Sequence, residues 1–240
     1  GVARANSVVD MAQLDAAVRD ALGPVAPRRM AVLRPLKLTI ESWPEGHVET
    51  LRAANHPDDP AQGDRPVAFG REIWVERDDF AEIPPKGFHR LAPGKEVRLR
   101  YAYLVTCREV VKDASGEVVE LRCVHDPASK GGNAPDGRKV RGTLHWVAAA
   151  DAVPAEVRLY NPLFRRPDPG ADGDPLDDLN PDSVEVLAGA MVEPALRGAA
   201  GTVQFERQGY FSADADGTPE RPVFNRTVGL RDSWAKAQAR

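Results

Sequence analysis

Arginine recurs along this sequence where strand-like alternation and aromatic residues lie close by. Arg28 and Arg29 precede an alternating segment, and His89 and Arg90 come just before Arg98 and Arg100. Arg138, Lys139 and Arg141 lead into His145 and Trp146. Gln204, Arg207, Tyr210, Arg226 and Arg231 follow near the end. A guanidinium presents five donors in a planar fork, which suits phosphate oxygens and guanine edges and also stacks on bases. Unstacked RNA loops are read by such groups together with aromatic platforms. The overall charge pulls the other way. Lys+Arg number 32 against 36 Asp+Glu, a formal net charge of −4. Arginines on exposed strands are commonly just solvated, and an acidic chain is a poor general nucleic-acid binder. On the residues alone, an RNA-reading surface and a barrel-type structural or protein-interaction module both stay open.

Other chemistries find no support. The glycine-rich phosphate loops, paired-histidine zinc motifs and nucleophile-elbow serines are all missing. Five histidines, at 47, 56, 89, 125 and 145, are scattered, and no pair of carboxylates is marked out for acid–base work. Cys107 and Cys123 form no metal-ligand spacing and read as reduced thiols of a cytoplasmic protein. No run of 18 apolar residues offers a helical membrane span, and Gly1–Asp10 has no signal-peptide pattern. A chain that starts on Gly rather than Met fits a piece of something longer.

The elements that would carry these arginines are mostly strands. With 21 prolines and 20 glycines in 240 residues, turns are frequent and long helices are excluded. One helix is predicted, with Asp10 and Gln13 at capping-box spacing and Met11, Leu14, Val18 and Leu22 on one stripe. Gly23 and Pro24 end it. Alternation predicts strands at 36–40, 72–76 and 97–101, the last placing Arg98 and Arg100 on one face. Residues 101–125 read as a hairpin turning at Asp113-Ala114-Ser115-Gly116, with Cys107 and Cys123 level on its two arms. Further strands are expected at 140–148, 155–160, 184–188, 202–207 and 223–229. Residues 126–138 read as a mobile loop. Residues 165–182, with four prolines and six aspartates, read as a solvated one. The sum is an all-β architecture, most economically two small antiparallel barrels.

Seven segments in order carry a resemblance. They are Gly70–Val75, Gly94–Arg100, Asp136–Gly142, Leu144–Val147, Glu156–Tyr160, Gln204–Phe211 and Pro222–Asp232. The run resembles the C-terminal half of bacterial-type glutaminyl-tRNA synthetases, over about residues 1–237. The glutamyl enzymes share the barrel plan, but the 204–211 and 222–232 stretches look like the glutaminyl type. The resemblance implies the end of a helical connector at 1–24. It also implies a proximal anticodon-binding barrel from 25–35 and 144–240, and a distal barrel at 36–143. It implies a cytoplasmic ligase, monomeric, that joins glutamine to tRNA(Gln) using ATP and magnesium, with neither membrane nor DNA as partner. The family's dinucleotide-binding fold and its HIGH-type and KMSKS-type motifs are absent here and would precede Gly1. No catalytic residue or cofactor is therefore expected within the chain.

The same resemblance gives roles to the arginines. Arg28 and Gln204 match the two positions that contact the middle anticodon base, a uridine. Arg90 matches the reader of the third base, a guanine. Arg98 and Arg100 match arginines near the first base and its backbone, and Arg207 and Arg231 lie near these sites. His89 stands where the family pattern has lysine, which weakens phosphate attraction there. Gly87 and Phe88 also depart from the pattern.

Overall fold

A computed structural model of the chain describes residues 11–230. Asp10, the expected helix cap, and Arg231 lie outside the described residues. The chain forms one helix, α1 (Met11–Leu22), then three strands β1 (Arg28–Arg29), β2 (Ala31–Val32) and β3 (Pro35–Ile40). β4 (Glu49–Ala54) and β5 (Asp64–Phe69) form a hairpin, followed by β6 (Glu72–Glu76), β7 (Glu96–Leu99), β8 (Leu104–Lys112) and β9 (Val118–Asp126). Next come β10 (Thr143–Leu144), β11 (Trp146–Ala148), β12 (Val153–Tyr160) and β13 (Val184–Val192). β14 (Thr202–Phe205), β15 (Gly209–Ala213) and β16 (Val223–Gly229) complete it. None of the described helices is long and apolar enough to cross a membrane.

Two seven-stranded sheets hold most of these strands, in the orders β1-β14-β15-β16-β12-β13-β2 and β10-β7-β8-β9-β3-β6-β11. The ends of each order explain the barrels. β1 and β2 lie on opposite edges of the first sheet, yet only Met30 separates them in sequence. β10 and β11 lie on opposite edges of the second, with only His145 between. Each barrel is therefore nearly closed by one short segment that pairs with both edges, which removes the exposed strand edges an open sheet would leave. Met30 and His145 are both 1% exposed. The all-β, two-barrel expectation holds, with one refinement. Four ladders, β1·β14, β10·β7, β12·β16 and β3·β9, are parallel, so each sheet is mixed. Sheet membership also cuts across position 144, because β11 pairs with β6 in the second sheet.

Two apolar cores follow the two sheets. Alternation along β3 and β6 turns Leu36, Leu38, Ile73 and Val75 inward. There they meet an aromatic cluster in which Phe69 lies edge-on to Trp43, at 4.8 Å between ring centroids, and to Trp146, at 5.1 Å. In the other core Phe205 stacks on Phe211 at 4.3 Å, with Phe224 edge-on. The β4–β5 hairpin, which was not expected from the sequence, contributes Leu51 and Phe69 to the second sheet's core. Its Glu49–Ala54 run has too little alternation to announce itself.

The 101–125 hairpin forms as expected. Asp113 Oδ1 accepts from Ser115 N–H and Glu117 N–H, and Gly116 takes φ +89°. Cys107 and Cys123 are direct register partners, both buried and free. The hydrogen bond with Cys107, then burial, pushes the Cys123 thiol up. β9 runs to Asp126, whose carboxylate caps a short 3-10 turn by accepting from Ala128 N–H. α1 ends at Leu22 as predicted, and Val18 and Leu22 pack on Tyr210 and Val228.

Candidate nucleic-acid interface

The β1·β14 ladder is parallel and puts Arg28 directly opposite Gln204, 176 positions apart in sequence. Opposed residues on a ladder share a face. Backbone Gln204 N–H donates to Pro27 O at 2.9 Å, and Arg28 N–H to Asn55 O at 2.7 Å, so both backbones are fixed. The Arg28 guanidinium donates to Ala26 O at 3.1 Å and Gly23 O at 3.3 Å. Gly23 O also receives His56 Nε2–H at 2.8 Å, while His56 Nδ1 accepts Asp58 N–H. The Gln204 side chain is 8% exposed, and its amide makes no hydrogen bond among the described residues. The amide is not among the buried groups left without a partner, so it reaches solvent with its donor and acceptor both open to a ligand.

Arg90 and Arg207 meet elsewhere, on one carboxylate. The β14–β15 turn holds Arg207 at φ +68°, an uncommon conformation for a residue with a side chain. From there its guanidinium grips Asp79 with both terminal nitrogens, at 2.5 and 2.8 Å. Arg90 Nη1 lies 3.0 Å from Asp79 Oδ1 and donates to Asp78 O at 3.1 Å. These groups line a cavity of about 200 Å³ whose wall is almost wholly polar. Its floor carries His145, with Nδ1 3.2 Å from Arg207 Nη1 and Nε2 3.5 Å from Glu76 Oε1.

Arg98 and Arg100 keep the strand alternation, since their N–H groups donate in turn to Gly142 O and Leu144 O at 2.8 and 2.9 Å, but their guanidiniums take different partners. β7 stops at Leu99, because Tyr101 at φ +65° turns the chain and Ala102 N–H closes back on Leu99 O. Arg98 reaches across to the Gly132 carbonyl. Gly132 sits at φ +86°, and a Cβ there would lie 2.7 Å from Arg98 Cδ, so only glycine fits. Arg100 lies past the strand end and forms an ion pair with Glu206, on the hairpin of Arg207. Tyr101 O–H donates to Glu206 Oε1 at 2.8 Å. Burial, and then the adjacent Glu206 carboxylate, pushes the Tyr101 phenol up, so it remains a donor. The structure thus gathers Arg28 with Gln204, Arg90 with Arg207, and Arg100 with the same 204–209 hairpin. Arg98 stands apart on the 129–132 side.

Sequence reasoning missed the acidic members: Glu76, Asp79, Glu193 and Glu206, each 5% exposed or less. Among 36 acidic residues, no spacing separates them from the solvated ones. Arg138, by contrast, is a surface clamp. It donates to Glu96 at 2.9 Å and to Asp136 at 2.8 Å, and pairs with Asp126. The Arg138 side chain holds the Asp126 carboxyl low, and the Arg138 N–H followed by its side chain does the same for Asp136. A carboxyl held below its unfolded value of about 3.9 stabilises the fold above that value, and loses that contribution as pH falls through the folded value. Thermal melts from pH 6 to pH 3 should therefore fall less steeply in Arg138→Ala than in the parent. Parallel curves would refute the clamp.

Two nearly closed β-barrels carry these arginines and the open Gln204 amide. Two family models, each described as tRNA synthetases class I (E and Q), anti-codon binding domain, match residues 26–126 and 143–214. The chain belongs to this family of class I (E and Q) anticodon-binding domains. Its curated relatives include the glutamine–tRNA ligase of Nitrobacter hamburgensis, 64% identical over 100% of this chain and 43% of the relative. The glutamine–tRNA ligase of Pseudomonas putida is 52% identical over 98% of the chain and 42% of the relative. That of Vibrio vulnificus is 49% identical over 100% of the chain and 44% of the relative. The chain spans about 43% of the length of the curated relatives it matches.

Proposed function

We propose that this chain is the anticodon-reading part of a cytoplasmic, monomeric glutamine–tRNA ligase. The observation that carries the reading is the Arg28–Gln204 register pair, with the Gln204 amide open to a ligand. An unstacked uridine edge offers one donor and adjacent acceptors, the complement of a glutamine amide beside a guanidinium. Arg90, on the polar cavity, has the fork geometry for the O6 and N7 of a guanine. In this reading Arg28 and Gln204 take the middle base and Arg90 the third. Arg98 and Arg100 attend the first base and its backbone, and Arg207 supports both groups. Arg231 follows β16 and belongs to the same proposal by resemblance alone. The matching division is a connector end at 1–24, a proximal barrel at 25–35 and 144–240, and a distal barrel at 36–143 whose sheet also takes in β11, up to Ala148.

Ligation itself, with ATP and magnesium, is assigned to the rest of the ligase. Among the described residues no group of three or more His, Cys, Asp or Glu could hold a metal ion. The sequence also carries no phosphate-cradling loop.

The test is the affinity of the intact protein for tRNA measured against salt. Affinity should fall steeply as salt rises, because bound phosphates release counterions. Arg98→Ala should weaken binding evenly across anticodons and flatten the slope by about one unit. Affinity indifferent to salt would refute an RNA surface.

A further inference from the structure

The 3-10 turn after β6 buries a carboxylate between arginines from two parts of the chain. Asp79 is 1% exposed. Both its oxygens are held by Arg207, and Oδ1 also faces Arg90 Nη1 at 3.0 Å. Asp79 O accepts from Leu91 N–H at 2.9 Å, so the backbone next to Arg90 is fixed by the same residue that faces its side chain. Arg207 comes from the β14–β15 turn, three residues after Gln204. One buried anion thus joins the loop that carries Arg90 to the hairpin that carries Gln204.

We propose that Asp79 is a positioning residue for base reading, acting through Arg90. The inference rests on the anticodon reading above. An exposed arginine loses rotamer freedom when it grips a base, and one already held by a fixed carboxylate loses less. The Arg90 side chain is 46% exposed, so without Asp79 it would sample many directions. Arg207 supplies a second positive charge facing the buried Asp79 carboxylate. Charge-assisted, two-pronged contacts also fix an angle as well as a distance.

The test is Asp79→Asn in the intact protein, with tRNA bearing either the cognate third anticodon base or a replaced one. The ratio of the two affinities should fall about tenfold. In an Arg90→Ala background the same substitution should move the ratio by less than twofold, because the residue it positions is gone. A purely structural role would lower affinity for every anticodon by one factor and leave the ratio unchanged, which overturns the proposal. An undiminished effect of Asp79→Asn in the Arg90→Ala background overturns it equally. If Arg90→Ala by itself leaves the third-base ratio intact, Arg90 is not the reader and the proposal falls with that reading. Should circular dichroism find Asp79→Asn unfolded, Asp79→Glu replaces it. That variant keeps the charge, shifts the carboxylate by one methylene, and should lower the same ratio.

Discussion

Replacing Glu193 with alanine is expected to destabilise the fold by about 3–5 kcal/mol, the range for breaking a buried ion pair from one side. Glu193 is 2% exposed and Arg65 5%. Their contact is two-pronged, at 2.7 and 3.0 Å, and Arg29 Nε lies 3.7 Å away. Burial pushes the Glu193 carboxyl up, and Arg65 and Arg29 oppose that by pulling it down. A guanidinium cannot shed its proton to escape burial. Alanine would therefore leave Arg65 charged and buried, held by the carbonyls of Ala53 and Ala54 at 3.4 and 3.0 Å, with the Glu206 carboxylate no nearer than 4.0 Å. Arg65 belongs to the β4–β5 hairpin and Glu193 follows β13, so the loss also loosens that hairpin from the first sheet. Replacing both partners with apolar residues of similar volume should recover most of the stability, since neither charge is then stranded. Urea unfolding at constant m-value reads this directly. A cost below 1 kcal/mol for Glu193→Ala would mean that water reaches Arg65 and the network is not buried in solution.

The second large effect concerns discrimination. Gln204→Ala and Arg90→Ala should each cost about 1–3 kcal/mol of binding to tRNA with the cognate anticodon, and relax the preference only at their own base. Gln204 offers a donor and an acceptor from a single amide, so alanine removes both and leaves the base edge unpaired. Arg90 loses a fork rather than a point charge, so lysine should not restore it. Affinity measured with each anticodon base varied in turn separates the two sites. Equal losses on every variant would show that neither residue reads a base.

The sequence by itself determined most of the strands, the Asp113–Gly116 hairpin turn and the family. Alternation in Leu36–Ile40 and Glu72–Glu76 marked strands, because a side-chain period of two is a local property. The Asp113–Gly116 turn was legible for the same reason, since its chemistry lies within four residues. The arginines were visible as candidates, and the resemblance gave them roles. Tertiary structure alone decided three things. It closed each barrel through a segment as short as Arg28–Val32 or Thr143–Ala148, a pairing with both sheet edges that no local pattern encodes. It gave Arg98 and Arg100 different partners, the Gly132 carbonyl and the Glu206 carboxylate. It also chose, from many similar acids, the four to bury: Asp79, Glu193 and Glu206 as partners of arginines, and Glu76 as acceptor for backbone N–H groups and Gln208. A carboxylate's partner depends on which strands lie side by side, and burial strengthens that choice by excluding water. Asp79 and Glu193 look ordinary in sequence for that reason, and they became central only when two distant segments enclosed them.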